Sequence, residues 1–497
     1  VVPKAIAALV SYAAERAMMQ SFEEAPENTP EARRRRRGLL RFARTDDRLV
    51  GMAVLGMLYP STTLARECDP LALIGQRGTE DTLSTVAGIL DRAERRIDEL
   101  LPSIRLETSA EGPEDEAWYW AAPILLDLFN DGPSTRMWFG RSRLAQSWVG
   151  ETVADDDDGQ DRSSWAEHVD RARALIVDPQ RQLGPRPRDL SRVLALMAVA
   201  GPGVAALRAL SRVAGGPGAL STPTLRDGAG QIAWSLRNLF NLPEVMSLLR
   251  PPAHSPANEH NVLSVSAIPD RSRESGREEP YWRHVLEYCV EGGLQSALDE
   301  FAHVLRESLG LVDQKTDSVA SQVAEAIRHS VSLRAATPVV DEISVNGRGD
   351  QISVGKNRSM RNRFAMRFGD ERQEDIGGTG RADHVRAAFN SPFWPFVLAT
   401  TSVGQEGLDF HPYCHAVVHW NLPSNPVDLE QREGRVHRYK GHAVRKNLAR
   451  RYGASACAQG GDPWQSLFAH AVHDRPDGAT DLIPFWVYPV EGGARIE

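Results

Sequence analysis

The sequence predicts a large, mainly α-helical region followed by an α/β lobe in which helices flank a parallel sheet. Up to about residue 334, apolar residues recur at helical spacing between charged ones. After about residue 335, short apolar runs rich in β-branched and aromatic residues alternate with helical patterns. Strands and helices in alternation are typical of a parallel sheet covered by helices.

The length of 497 residues favours roughly two to four domains over one core. We predict a helical region (1–150), a helical insertion or linker region (151–334), the α/β lobe (335–450) and a C-terminal extension (451–497). The chain begins without Met and ends soon after the apolar run "LIPFWVYPV". We therefore expect a fragment of a longer protein, with the extension truncated.

The balance of 58 basic and 66 acidic residues gives a formal charge of −8, so a nucleic-acid site would have to be a local patch. The four cysteines, Cys68, Cys289, Cys414 and Cys457, are scattered without a CxxC pair, which favours a reducing compartment. No signal peptide and no apolar run long enough to span a bilayer is evident, so the predicted location is the cytoplasm, with no membrane partner.

Within the helical region, "STVAGILDRAERRIDELL" and "GGLQSALDEFAHVLRESL" carry apolar residues at helical intervals. Thr29 and Pro30 are suited to begin a helix that contains the basic run Arg33 to Arg37. That run could contact nucleic acid, or it could be a solvated helix face or bind an acidic segment.

Within the lobe, four runs are predicted as strands: "PVVDEISV", "RFAMRF", "FVLATTSV" and "AVVHWNLP". Two helices are predicted between and after them, in "RADHVRAAFN" and "NPVDLEQREGRVHRYKG". In parallel sheets, ligands bind at the carboxyl ends of the strands. The loop "TTSVGQEGLD" would lie at that edge.

The segment "FVLATTSVGQEGLDFH" predicts a contact with phosphate and ribose. Thr400, Thr401 and Ser402 follow the apolar strand, and their hydroxyl and N–H groups are suited to hold a phosphate backbone. Gly407 lets the main chain approach a ligand closely, and the carboxylate of Asp409 can accept a ribose hydroxyl.

The segment "LEQREGRVHRYKGH" follows about 20 residues later. On a helix, Gln431, Arg435 and Arg438 would fall at intervals of four and three and share one face. Two adjacent guanidiniums suit the charge that develops on a transferring phosphoryl group. Arg432 would be a supporting contact. By itself, the segment is more typical of a solvated charged helix than of a phosphate site.

Together, "TTSVGQEGLD" and "QREGRVHR" resemble motifs V and VI of superfamily-two helicases and translocases. The stretch "VVHWNLPSNPVDLEQREGRVHR" is most similar to the Swi/Snf-like branch, and the whole resembles helicases of bacterial antiphage defence systems. The close resemblance covers about residues 376 to 447. It implies that the lobe is the second RecA-like lobe, also called the helicase C-terminal domain.

The resemblance also implies a role for each matching residue. The catalytic arginine fingers are Arg435 and Arg438, the nucleotide-binding positions are Gly407, Asp409 and Gln431, and the nucleic-acid contacts are Thr400, Thr401 and Ser402. Many Swi/Snf-like enzymes have Arg-x-Gly-Gln after the second finger, whereas this chain has "RYKGH". The implied partner is DNA, with RNA left open.

The first RecA-like lobe of such a motor is missing from the sequence. Its phosphate loop requires Gly-x-x-x-x-Gly-Lys-Ser/Thr, but Asn357 follows Gly355-Lys356 and Asp350 stands at the first glycine position. "DEAW" at 115–118 lacks the apolar strand that precedes a Walker B motif, and it is better explained as a helix start. We expect ATP and Mg²⁺ to be bound mainly by a first lobe outside this chain, which alone would be inactive.

Two other interpretations concern metal binding and protein binding. "HPYCH" (411–415) offers His and Cys ligands, but zinc needs about four and no second half-site is recognisable, so no metal site is predicted. Alternatively to a motor, the helical region could be an interaction scaffold that docks a partner subunit of a multi-component defence or nucleic-acid-processing system.

Overall fold

The computed structural model describes most of the chain in separate stretches, and its residues form two compact units. The first unit is Val1–Arg328 with Tyr452–Asp474, and the second is His329–Arg451 with Arg475–Glu497. The described residues are 40–45, 48–75, 85–106, 112–149, 159–179, 183–242, 245–246, 249, 280–332, 339–340, 343–345, 352–354, 358–359, 378–398, 409–419, 422–456 and 461–496.

The described part of the first unit is helical apart from one small hairpin. The hairpin pairs β1 (Ala43–Thr45) with β2 (Arg48–Val50) in antiparallel fashion. The helices are α1 Met52–Leu58, α2 Thr62–Glu67, α3 Pro70–Gly75, α4 Val86–Leu100, α5 Trp118–Asn130, α6 Gly132–Phe139, α7 Leu144–Val149, α8 Gly159–Val177, α9 Leu190–Ala200, α10 Pro202–Ala214, α11 Pro223–Phe240, α12 Tyr281–Glu291, α13 Leu294–Ser308, α14 Thr316–Val331 and, after the second unit, α18 Pro463–His473.

The helix starts follow local capping rules. The Thr85 hydroxyl accepts a hydrogen bond from the Gly88 N–H at the start of α4. Helix α5 begins at Trp118, directly after "DEA", and the Asp115 carboxylate accepts a hydrogen bond from the Ala117 N–H. The sequence predictions for α4, α5 and α13 are therefore confirmed. The predicted helix start at Thr29 and the basic run 33–37 lie outside the described residues.

The centre of the unit is the helix pair α9 and α10. Leu190–Ala214 forms a 25-residue helical stretch that is apolar and long enough to cross a membrane, so the prediction that no such run exists is wrong. The stretch is, however, buried inside the protein apart from the half-buried Ser191, and it is interrupted at Gly201, whose backbone leaves the helical region. A buried stretch of this kind is a core element of a globular unit.

A dense aromatic cluster packs beside this centre. Trp165 lies 5.0 Å from Trp234 and 5.1 Å from Trp148, measured between ring centroids, and Phe42 of the hairpin lies 4.7 Å from Trp165. Arg237 is also buried there and donates to the Leu40 carbonyl at 2.5 Å. The hairpin is thus fixed to α8 and α11 by ring packing and by a buried cation.

A buried carboxylate organises the start of α2. Asp127, on α5, accepts hydrogen bonds from the N–H groups of Thr62 (3.0 Å) and Thr63 (2.8 Å) and from the Ser61 hydroxyl (2.8 Å). Helix N-termini have unpaired N–H groups and attract negative charge, so Asp127 supplies a cap from another helix. Its own charge is balanced by Arg226, whose Nη2 lies 3.5 Å away.

A second buried group joins α10 to α13. Arg212 donates to Asp299 and, at 2.6 Å, to Asp69, so one guanidinium serves two carboxylates. Gln295 also donates to Asp299, at 2.8 Å. The pKa of Asp299 is raised to about 6, mainly by burial and also by the nearby negative charge of Asp69, against the opposing effect of Arg212.

Helix α18 belongs to the first unit although it follows the second in the sequence. Asp462 caps it by accepting from the N–H of Trp464 (3.0 Å), and its other carboxylate oxygen lies 2.7 Å from Nδ1 of His303 on α13. The ring of His303 stacks on Phe468 at 6.2 Å. The predicted C-terminal extension therefore includes a helix that packs into the helical unit.

The second unit contains helices α15 Gly378–Phe389, α16 Pro426–Glu433 and α17 His442–Ala456, the last of which continues into the first unit. Its described strands are short antiparallel pairs. β3 (Val339–Val340) pairs with β6 (Arg358–Ser359), and β4 (Ile343–Val345) pairs with β5 (Ile352–Val354).

The parallel sheet of the predicted RecA-like lobe stays a prediction. "PVVDEISV" contains β3 and β4, whereas "RFAMRF" and residues 399–403 lie outside the described residues. Residues 396–398 and 416–419 form no strand, and Phe396, Val397 and Val418 are largely exposed. The strand prediction for these two pieces is wrong for the described structure. The predicted helix in "RADHVRAAFN" is confirmed by α15.

Candidate functional site

Helix α16 has clear start and stop signals. The Asn425 side chain accepts a hydrogen bond from the Val427 N–H at 3.1 Å, and Pro426 occupies the first helical position. The helix ends at Glu433, where the N–H of Gly434 still donates to the Glu430 carbonyl at 2.8 Å. Glycine has low helix propensity, so the position suits a helix end.

The two predicted arginine fingers lie beyond the end of α16. Arg435 and Arg438 are in the turn that follows, and Val436 between them is buried. The prediction that they share one helix face with Gln431 is therefore wrong. After Gly434 the main chain turns more tightly than an α-helix, since the N–H groups of Arg435 and Val436 donate to the carbonyls three residues earlier, at 3.3 and 3.0 Å. Gln431 is exposed on the last turn of α16.

The turn after α16 is joined to the end of the first predicted motif. The N–H of Phe410 donates to the carbonyl of Arg435 at 3.1 Å, and the Phe410 ring packs edge-on against Phe389 at 5.6 Å. Asn390 fixes the preceding residue by donating to the Asp409 carbonyl at 2.8 Å. The structure thus brings together two segments that are about 25 residues apart in the sequence.

Asp409 and Arg438 form an ion pair within this arrangement. Nε of Arg438 lies 3.4 Å from Oδ1 of Asp409, and the two side chains are 41% and 58% exposed. A pair this exposed contributes about 0–1 kcal/mol to stability. An incoming anion can therefore displace Asp409 from Arg438 at small cost. The partly exposed Arg435 lies three residues earlier in the same turn.

The remaining predicted contact residues fall on a segment that the structure does not describe. Thr400, Thr401, Ser402 and Gly407 lie outside the described residues. Of the predicted nucleotide-side positions, Asp409 and Gln431 are described, and Asp409 is the one beside an arginine finger.

Arg445 was not predicted as a site residue, but it stabilises the turn that follows α16. Its guanidinium is buried, donates to the carbonyls of Lys440 (2.7 Å) and Pro412, and lies 5.1 Å from the Tyr413 ring centroid. The sequence feature that could have indicated Arg445 is the spacing of Val444 and Leu448, which places Arg445 beside the apolar stripe of α17. It therefore holds the turn and the 411–413 loop together.

The "HPYCH" loop has no metal-site geometry. Within the described ranges, no group of three or more His, Cys, Asp or Glu side chains is placed to hold a metal ion. The ring of His415 stacks on His442 at 5.1 Å, and Cys414 lies 3.4 Å from the Ala416 carbonyl. Burial, with the nearby charges of Arg445 and Arg438, lowers the pKa of His411.

The C-terminal tail of the second unit packs against the same turn. The Lys440 N–H donates to the Phe485 carbonyl at 2.6 Å. Asn447 donates to the carbonyls of Tyr488 (2.8 Å) and Ala494 (3.1 Å). The sequence pattern predicts one extension over 451–497 and does not indicate this contact, because the contact depends on single side chains and not on a periodic pattern.

Comparison with protein families gives a match over this segment of the chain. Residues 380–440 match the family model described as the helicase conserved C-terminal domain. The match begins in α15 and ends at Lys440, so it includes Asp409 and both predicted fingers. This stretch is similar to a helicase C-terminal domain. Neither the search of curated proteins nor that of solved structures gives a match.

Proposed function

We propose that the chain supplies the second RecA-like lobe of an ATP-dependent helicase or translocase of the Swi/Snf-like branch, acting on DNA. The observation that carries the proposal is the junction of Phe410 with Arg435 and of Asp409 with Arg438. It joins the end of the motif V-like segment to the motif VI-like turn inside the stretch similar to a helicase C-terminal domain.

In this proposal, Arg435 and Arg438 stabilise the charge on the γ-phosphate of ATP held by a first lobe. Guanidiniums remain charged at any working pH and offer several donors to phosphoryl oxygens. The exposed Asp409 partner keeps Arg438 oriented until the nucleotide arrives. Asp409 is then available to a ribose hydroxyl.

The residues present fit the phosphate part of this ligand. Nε of Arg438 is buried without a hydrogen-bond partner, although it forms the ion pair with Asp409. The same fit is not found for Mg²⁺, since the described residues hold no cluster of metal ligands. The sequence also has no phosphate loop. We therefore assign the binding of Mg²⁺ and most of the ATP contacts to the first lobe.

The proposal predicts that the 497-residue chain alone has no measurable ATP hydrolysis, with or without DNA. Steady-state phosphate release in the presence of Mg²⁺ is the appropriate measurement. Robust metal-dependent turnover by the isolated chain would show that it carries its own phosphate site.

Nucleic-acid binding is assigned to Thr400, Thr401 and Ser402. Replacement of Thr401 by Val removes a hydroxyl donor, so binding of a DNA duplex should weaken while the slope of log K against log salt stays the same. Duplex DNA and duplex RNA of equal length, compared in the same titration, distinguish the two partners. Unchanged affinity of Thr401→Val would remove this residue from the proposed interface.

A second candidate function is an interaction scaffold, with a partner subunit docked on the helical unit. It is favoured by the size of that unit and by its inclusion of α18, which follows the helicase-like segment. A test should use the full chain, because truncation at about residue 330 would remove α18 from His303. If no partner were recovered in stoichiometric amount, the scaffold function would be rejected and the motor proposal would remain.

A further inference from the structure

Two exposed aromatic rings stand together directly after the second predicted finger. Tyr439 follows Arg438 in the sequence and is 45% exposed, and Trp486 of the tail is 38% exposed. The Tyr439 ring stacks on Phe485 with centroids 5.6 Å apart and meets Trp486 edge-on at 6.2 Å. We call these two exposed rings the Tyr439–Trp486 surface.

The backbone holds this surface in place. Lys440 has a positive φ of 51°, which is uncommon for a residue with a side chain and marks a tight local turn. Its N–H donates to the Phe485 carbonyl at 2.6 Å, and the Trp486 N–H donates to the Leu482 carbonyl at 2.7 Å. The two rings are therefore fixed by main-chain hydrogen bonds as well as by their mutual packing.

A cation accompanies the rings. Nζ of Lys440 lies 5.5 Å from the Tyr439 ring centroid and 5.7 Å from that of Phe485. Asp481, five residues before Trp486 in the sequence, pairs with Arg475 at 2.8 Å. Single exposed apolar residues are ordinary on protein surfaces. Neighbouring exposed aromatic rings beside a cation are instead the combination with which proteins stack bases and attract phosphates.

We propose that the Tyr439–Trp486 surface binds a nucleobase by stacking, with Lys440 close to the attached phosphate. The proposal rests on the proposed function in one respect, namely that Arg438 brings a phosphate-bearing ligand to this turn. The base could belong to a nucleic-acid strand or be the adenine of ATP, since both present the same flat ring. A protein partner is disfavoured because an apolar contact would have to desolvate the Lys440 ammonium.

The test combines ring variants with ligands that lack the base. Tyr439→Ala and Trp486→Ala are compared with Tyr439→Phe and Trp486→Phe, which keep a stacking face. Phe129→Ala removes an aromatic ring of similar exposure from the helical unit and is the matched control. Anisotropy titrations of the full chain use labelled dT20 and a backbone of equal length without bases. Calorimetry of the full-length protein, which in the proposed function includes the first lobe, compares ATP with tripolyphosphate.

The alanine variants should weaken binding of at least one base-containing ligand about fivefold or more, and binding of its base-free analogue less than twofold. The phenylalanine variants and Phe129→Ala should stay within about twofold of the wild type. An effect on dT20 alone assigns the surface to a strand, whereas an effect on ATP alone assigns it to adenine.

Two results would overturn the inference. The first is an equal loss for ligands with and without the base, which would mean a backbone contact only. The second is equal affinity of the wild-type protein for ligands with and without a base, which would indicate that the surface contacts a protein instead. The finger assignment is tested separately. It would fail if the full-length protein kept its ATP turnover after substitution of Arg435.

Discussion

The buried carboxylate of Asp127 allows a quantitative prediction about the helical unit. The change Asp127→Asn keeps the shape of the side chain, but it removes the negative charge and replaces one acceptor oxygen by a donor. In the wild type, the two carboxylate oxygens together accept from Ser61, Thr62 and Thr63 and also from the Tyr59 hydroxyl at 2.8 Å. Burial raises the pKa of Tyr59, so its hydroxyl keeps the proton that it donates.

The expected loss can be worked from these contacts. Whichever oxygen becomes the amide nitrogen, one buried backbone N–H, that of Thr62 or Thr63, then faces another donor, at about 1–3 kcal/mol. Arg226 also loses its counter-charge while it remains buried over the Trp138 ring, 4.3 Å from the centroid. Breaking a buried pair costs about 3–5 kcal/mol. Because these contributions overlap, we expect a total of about 4 kcal/mol.

Urea unfolding followed by tryptophan fluorescence is the suitable assay, since Trp138 lies against Arg226 and reports on this unit. The matched control is Asp170→Asn, which removes the same charge from an ion pair with Arg173 at 2.7 Å, where the Asp170 side chain is 66% exposed. The control should change the free energy of unfolding by less than about 1 kcal/mol. If both variants lay within 1 kcal/mol of the wild type, the role given to Asp127 would be refuted.

Two further predictions concern pH and packing. The folded-state pKa of Asp299, about 6, lies above its ordinary value of 3.8, so stability from its protonated form is present below about pH 4 and is lost as the pH rises through about 6. The change amounts to about 3 kcal/mol, and Asp299→Asn should flatten the pH profile of the urea midpoint; an unchanged profile would contradict the assignment. A Cβ at Gly230 would lie 2.6 Å from Cδ1 of Trp148, so Gly230→Ala should destabilise the helical unit by about 1–3 kcal/mol. Gly453→Ala meets no atom within 4 Å and should be neutral or slightly stabilising, and equal effects of the two changes on thermal unfolding would count against this packing.

Periodic patterns predicted much of the helical unit. The apolar stripes of α4 and α13 indicate their helices because a helix buries one face, and Thr85 marks where α4 begins. The buried polar groups were not predictable in this way. Arg208 illustrates the reason, since its guanidinium donates to the carbonyls of Ala65 on α2 and Ala198 on α9, and no local pattern joins those residues.

The candidate site was predicted in part. Asp409 and Arg438 were both predicted as site residues, whereas the ion pair between them was not. The helical spacing of Arg435 and Arg438 was misleading, because α16 ends at Glu433. The N–H groups of Arg435 and Val436 donate three residues back instead of four. Arg445 and the tail residue Phe485 were missed, since their roles depend on contacts between segments distant in the sequence.

The central claim is that Arg435 and Arg438 complete a nucleotide site whose phosphate cradle lies on another lobe. The most direct measurement is DNA-stimulated ATP turnover by the full-length protein carrying Arg435→Ala or Arg438→Ala, with Arg451→Ala on the exposed face of α17 as the control. We predict a loss of turnover of at least about 10³-fold for either finger, with DNA affinity largely retained and the control unchanged. Turnover near the wild-type rate in both finger variants would contradict the account.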